Sequence, residues 1–239
     1  MKLMKNCSVR GLCLAGLCTM AAFAFGMTGT ASAEILFLPV SHKFPYHMAG
    51  VGGESVLETV KGGVEGTIKS TQVDVLLLAL SQTLADVHLK FLHTTAAGGL
   101  AKCNNVSGET ETILVNLLSH IGLADPGFRP AVLMLVPAGF EFVCKPIIGE
   151  SKTIKVQGSL IGTITHPAVG VDSELLGVVF NQTKGIQEFS TFLLGGQALT
   201  NQTELTSISG GAFEQSGQKS EQTLLKALPN EGAFLLILP

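Results

Sequence analysis

The sequence predicts an all-β fold: an antiparallel β-sandwich or barrel-like domain of about a dozen short strands, following a cleaved N-terminal signal peptide. Three observations predict it. Residues 153–165 alternate cleanly, with Ile154, Val156, Leu160 and Ile164 on one side and Thr153, Lys155, Gln157, Ser159, Thr163 and Thr165 on the other. Only a chain of period two keeps those sets apart. Short apolar segments then recur along the whole chain, punctuated by many of its 28 glycines. Finally, the chain opens like an export leader.

In that leader Lys2, Lys5 and Arg10 precede an apolar run over residues 11–25, and Ala31-Ser32-Ala33 supplies an Ala-x-Ala site. A charged start, a short apolar core and small residues at the cut describe a secretory signal peptide over residues 1–33, leaving Glu34 as the mature N-terminus. The run is short for a spanning helix. Cys7, Cys13 and Cys18 do not mark a lipoprotein, because Leu12 and Leu17 stand where a small residue is needed. Cleavage removes three basic residues and no acidic one, so the formal charge moves from −3 to −6. No basic cluster remains to neutralise phosphates or anionic lipid, which argues against nucleic acid as a partner.

The elements follow in order. Residues 34–40 are apolar and short, and Pro39 suits an edge. Residues 41–53 read as a loop rich in His and Gly. Residues 55–60 and 63–70 read as strands divided by a turn at Gly62-Gly63. Residues 72–93 are ambiguous: a leucine-rich helix over 73–84 competes with strand, turn near 81–86, strand, and the alternation of Val87, Leu89 and Phe91 favours the latter. Asp74, Gln82, Asp86 and His88 argue against a membrane span there. Residues 94–108 form a loop, and 109–122 a strand with Ile113, Val115 and Leu117 on one face. Residues 125–130 carry turn chemistry. The apolar run 131–136 suits a central strand, broken at Pro137-Ala138-Gly139 and resumed over 140–145. Past the alternating strand come a turn at 167–172 and strands at 174–184, 187–194, 199–207 and 211–214. Residues 216–222 read as a polar turn region, and the chain closes on an apolar strand at 234–238. No linker marks a boundary, so residues 34–239 are expected to form a single secreted β domain, with two packed β lobes as the alternative.

Cys103 and Cys144 are the cysteines outside the leader, and in an oxidising compartment they most simply pair. Such a bridge, closing a loop of roughly 40 residues, stabilises by about 3–4 kcal/mol on the chain-entropy estimate. A free nucleophilic cysteine served by His93 or His120 is the rival.

The order of landmarks resembles a family of uncharacterised secreted bacterial proteins, seen mostly in actinobacteria. The residues that carry the resemblance are Leu38-Pro39, Leu57-Glu58-Thr59 with Gly62, Cys103 with Gly108, and Phe142-Val143-Cys144. Gly158-Ser159-Leu160-Ile161-Gly162, Gly185-Ile186-Gln187 and Gly210-Gly211-Ala212-Phe213 complete it. The resemblance spans nearly the whole mature chain through short motifs. Members often carry an earlier cysteine pair, absent here around Gly66 and His93, so it implies one bridge. It implies an exported β protein and no particular activity.

No nucleophile elbow, zinc-protease helix motif, phosphate-binding P-loop or Cys-x-x-Cys is present. His42 and His47 with Glu54 could hold zinc or copper, and a solvated loop explains them as well. His88 and His93 fall on opposite faces of a regular strand. Glu109 and Glu111 share a face, as two acid–base carboxylates or an exposed strand would. Asn105, Asn181 and Asn201 sit in glycosylation-type triplets that read as turn or strand residues in a bacterial chain. No tryptophan and a single tyrosine, Tyr46, weaken both a sugar-stacking site and an outer-membrane barrel. We therefore expect no enzyme, no catalytic or metal residues and no cofactor. High mean hydropathy (+0.44) and apolar termini point to a structural or interaction protein that pairs with itself or with cell-envelope components. The alternative is a monomeric binding module for a small apolar ligand, lipid or cell-wall component. A hydrolase with an unfamiliar site ranks third.

Overall fold

The computed structural model describes residues 34–41, 43–60, 66–107, 109–200 and 203–238. The expected leader, His42, the Gly62-Gly63 turn, Gly108 and Asn201 lie outside those residues. The chain is all-β, as expected, but its strands join into longer pieces than the sequence suggests.

A short strand β1 (Leu36–Pro39) is followed by eight antiparallel staves, several of them built from two strands in line. The first is β2 (Tyr46–Gly52) with β3 (Ser55–Thr59); the second is β4 (Thr67–Ser70) with β5 (Gln72–Ala79). The third is β6 (Leu84–Leu92) with β7 (Thr95–Ala96), and the fourth β8 (Ala101–Asn104) with β9 (Ile113–Asp125). β10 (Arg129–Pro146) and β11 (Lys152–His166) are single long staves. The seventh stave is β12 (Leu175–Phe180), interrupted by a long excursion and resumed as β17 (Glu204–Ile208). β18 (Glu214–Lys226) is the eighth. Each stave pairs with the next in sequence. β18 then returns to the first, from Ser216↔Thr59 to Lys226↔Met48. The result is a closed up-and-down barrel of eight staves, a closure that leaves no long edge to template pairing.

The doubtful segment 72–93 is the hairpin β5–β6, paired from Gln72↔Leu92 to Ala79↔Ala85. Its leucines are divided between lumen and outer wall, so the helix alternative does not hold. The break expected at 137–139 is a bulge inside β10, where the register against β11 shifts between Val136 and Phe140. Residues 216–222 are no turn. They lie in the middle of β18, with Ser216, Gln218, Ser220 and Gln222 facing the lumen and Lys219 and Glu221 facing out.

The excursion holds β13 (Gln182–Thr183), β14 (Ile186–Gln187), β15 (Thr191–Leu194) and β16 (Gln197–Thr200). It lies on the outer wall, where Phe189 and Phe192 cover Ala131, Leu133 and Ile161. That second core is why 131–136 is apolar on both faces. The Gln187 amide substitutes for a strand partner: its Oε1 accepts from the Ile161 N–H (3.1 Å) and its Nε2 donates to the Ser159 carbonyl (3.0 Å). Where the chain re-enters the barrel, Gly158 (φ 100°) lies so close that an added Cβ would meet the Thr203 carbonyl oxygen at 2.2 Å.

One barrel end is plugged. β1 pairs with the last strand, β19 (Phe234–Ile237), from Leu36↔Ile237 to Pro39↔Phe234. Phe37 stacks on Phe234 with ring centroids 4.6 Å apart, and Tyr46 meets Phe37 edge-on at 5.5 Å. The terminal strands thus pair with each other, and the free edges on which self-pairing was expected to rest are occupied.

Candidate functional site

The lumen near the plug is lined by Met48, Val75, Val87, Leu123, Leu176 and Leu224, all buried. Halfway along, it changes character. β18 brings Ser216, Gln218, Ser220 and Gln222 inward at period two, the first stave adds Ser55, and β17 adds Glu204 and Thr206. Glu204 is the centre of this polar patch. The Ser216 hydroxyl donates to its Oε1 (3.1 Å), and the Thr206 hydroxyl donates in turn to Ser216 Oγ (2.8 Å). Burial away from solvent, only partly offset by the Ser216 hydrogen bond, pushes the Glu204 carboxyl up to about 7.

Two small cavities adjoin Glu204. One of about 40 Å³ lies among Ser55, Ser70, Phe91, Thr94 and Phe140, and one of about 30 Å³ among Leu89, Met134, Leu160, Phe180 and Gln222. Both touch Glu204 and Gln218, and no other titratable side chain lines either. The Gln222 amide is buried with neither its Nε2 nor its Oε1 paired to protein, and the Ser220 and Thr94 hydroxyls are likewise unpaired. Spaces of that size take water molecules that satisfy such groups. They do not take an acyl chain or a ring. An eight-stave barrel is just narrow enough for its own side chains to fill.

The outer wall carries a second concavity. At the break between β2 and β3, an open groove of about 1110 Å³ runs between the barrel and the β13–β14 hairpin. Glu54, Glu58 and Glu221 share it with Lys184, Lys219 and Gln182, and Gln182 Nε2 donates to Glu58 Oε2 (3.1 Å). Its charges are mixed in sign and open to solvent.

The residues singled out from sequence are scattered. Cys103 and Cys144 do form the disulfide, facing each other across β8 and β10 with Cα atoms 4.0 Å apart. That removes the free-thiol alternative. His47 lies beside the plug with Nδ1 2.7 Å from Glu231 Oε1, while Glu54 lies in the outer groove, so the proposed metal trio is not assembled. Among the described residues no group of three or more His, Cys, Asp and Glu could hold a metal. His88 shares a hydrogen bond with Asn116 Oδ1 (2.6 Å) on the outer wall. Glu109 and Glu111 are not on a strand. They fall in the loop before β9 and separate, pairing with Lys90 and Lys102, each at 3.3 Å. Tyr46 donates to the Gly232 carbonyl (2.7 Å); burial first, then the Glu231 and Glu174 carboxylates, push its phenol up to about 12.

Sequence reasoning missed Glu204 and its polar neighbours. The alternation of Ser216, Gln218, Ser220 and Gln222 was a signal for β18, but nothing local to Glu204 distinguishes it from a surface carboxylate.

Comparison with known proteins returns no matching family model, no similar curated protein and no similar solved structure. Among the described residues no helix is long and apolar enough to cross a membrane.

Proposed function

We propose that this is an exported structural or interaction protein that works through its outer wall and associates with further copies of itself. One observation carries the reading. Leu175, Leu225, Ala49 and Leu76 stand side by side on β12, β18, β2 and β5, in hydrogen-bonded register, and all face outward. Val51 and Leu78 extend the patch along β2 and β5, and Val51, Leu76 and Leu225 are each more than half exposed. Asp74, Glu221, His47 and His88 rim it. An apolar centre with a polar rim is the anatomy of a protein interface, and closed symmetry would bring the same patch of a second copy against it.

The alternative, a monomeric binding module for a small apolar ligand, lipid or cell-wall component, is less favoured because the lumen cavities beside Glu204, of about 40 and 30 Å³, do not take an acyl chain or a ring. Outward-facing Asp74, Asp86, His88 and Lys90 on β5 and β6 likewise do not suit a lipid-facing barrel wall. Export is supported by the leader pattern and by the disulfide, which persists in oxidising compartments.

The test is the solution mass of oxidised residues 34–239 by light scattering. The expected species is a dimer or larger that falls to one chain mass in L76D/L225D. A wild-type protein that stays monomeric at high concentration would sink this reading.

A further inference from the structure

The barrel end opposite the plug carries a surface that no sequence window reveals. Lys69, Thr95, Lys102 and Lys145 are consecutive neighbours across β4, β7, β8 and β10, and the row continues through Val56 to Lys219 in the middle of β18, beside the outer groove. All four lysines face outward and are exposed. The expectation of no basic cluster fails here, because the fold gathers lysines that the sequence spreads over residues 69–145. Lys102 and Lys145 stand directly opposite each other, a like-charge pair that destabilises a sheet. Glu111 offsets Lys102 at 3.3 Å. Glu141 is taken up by Lys155 at 3.1 Å, while Glu150 follows Ile148 by two residues and Glu214 follows Phe213 directly.

Beyond the lysines, the hairpin tips end in bare apolar side chains. Leu100 closes the β7–β8 tip, Ile147 and Ile148 form the β10–β11 tip, and Phe213 precedes β18. Ile147 is 78% and Ile148 90% exposed, so neither contributes to the core. The tips are held in place: the Ile147 N–H donates to the Leu100 carbonyl (3.1 Å), and Cys103–Cys144 ties β8 to β10 just behind them. Lys102 lies two residues behind Leu100, and Lys145 two before Ile147, so at strand rise the charges sit about 7 Å behind the apolar tips. Interfacial segments bury apolar groups about 5–10 Å deep while cations remain at the headgroups.

The opposite end also shows apolar side chains, among them Phe128 and Val171, but beside Asp125, Asp172, Glu174 and Glu231; of its cations, Lys226 is taken up by Glu174 and Arg129 by Glu188, and Lys43 is exposed. The charge difference decides which end meets an anion. We propose that the disulfide end docks on an anionic lipid surface, with Leu100, Ile147, Ile148 and Phe213 entering the acyl boundary and Lys69, Lys102 and Lys145 meeting the headgroup phosphates. This surface is separate from the apolar row on the wall.

Co-sedimentation of oxidised residues 34–239, a span within which the barrel closes on itself, tests the idea. The vesicles are phosphatidylcholine with about 30% phosphatidylglycerol, against phosphatidylcholine alone. Binding is expected to the mixed vesicles and to fall when salt rises from about 0.05 to 0.5 M. I147S/I148S should lower the partition by roughly tenfold or more, and K102E/K145E should remove the salt dependence with it. Circular dichroism serves as the folding control, and L76D/L225D should bind as wild type does. No binding to mixed vesicles, or binding that folded I147S/I148S and K102E/K145E retain, overturns the proposal.

Discussion

Glu204 shows what a single buried carboxyl does to a barrel. Its folded pKa of about 7 lies above its ordinary value of 4.5, so the native state holds the proton more tightly than the unfolded chain. Stability from this group is therefore complete below about pH 4.5, declines as pH rises, and is lost above about pH 7. A difference of that size corresponds to about 3 kcal/mol. Glu204→Gln keeps the shape and cannot ionise. Denaturant melts should find it more stable than wild type at pH 8 and little changed at pH 4.5, and an unaltered pH profile would mean that Glu204 is solvated. Nothing near Glu204 in the sequence announces this, because burial of one polar residue is decided by strands joined from elsewhere. The cysteines were easier to read. Two thiols in an oxidising setting leave one pairing, and their placement directly across β8 and β10 follows. Replacing both with serine should cost about 3–4 kcal/mol of stability for the 41-residue separation, measured by chemical unfolding.

At the scale of elements, period two was a dependable guide wherever one face is apolar. Residues 153–165 are β11 with Ile154, Val156, Leu160 and Ile164 buried as the alternation requires, and 84–92 is β6. It failed in β18, where the inward face is Ser and Gln, so that composition suggested a turn while the period was still that of a strand. The same stave supplies the seam that closes the barrel. At Gly50 an added Cβ would meet the Thr223 carbonyl oxygen at 1.9 Å and the Leu224 Cα at 2.6 Å, both backbone atoms that cannot step aside. Gly50→Ala is therefore expected to force β2 away from β18 and to cost about 1–3 kcal/mol as overpacking. Amide exchange should quicken at residues 222–226 before it does in β10 and β11. The excursion 181–203 was legible as strands, but its position on the outer wall was not. That position rests on Gln187 and on two phenylalanines meeting residues contributed by other staves.

For the whole molecule, hydropathy pointed to a β domain with apolar surface to spare, but not to where that surface lies. Rows running around a barrel join residues far apart in the chain, and so neither the Leu175–Leu225–Ala49–Leu76 row nor the lysine row is visible in any window. Closure itself has a temporal consequence. The strands that seal the barrel, β2 with β3 against β18, pair residues 157 to 178 positions apart, from Ser216↔Thr59 to Lys226↔Met48. Every other seam between staves is local or spans at most one excursion. The last contact to form must therefore wait until almost the entire chain has emerged, and its loop-closure entropy comes at the end. A chain exported through a narrow channel from its N-terminus would travel as an open, unsealed meander and become a barrel only after release. Joining the adjacent ends through β1 and β19 and reopening the chain between Ile147 and Ile148 would turn that seam into a short-range hairpin. Opening there makes β10–β11 the far-apart seam in its place, so pulse-labelled amide exchange should find protection arriving last between β10 and β11 in the permutant and last between β18 and the first stave in the native order, with the same eight staves in both.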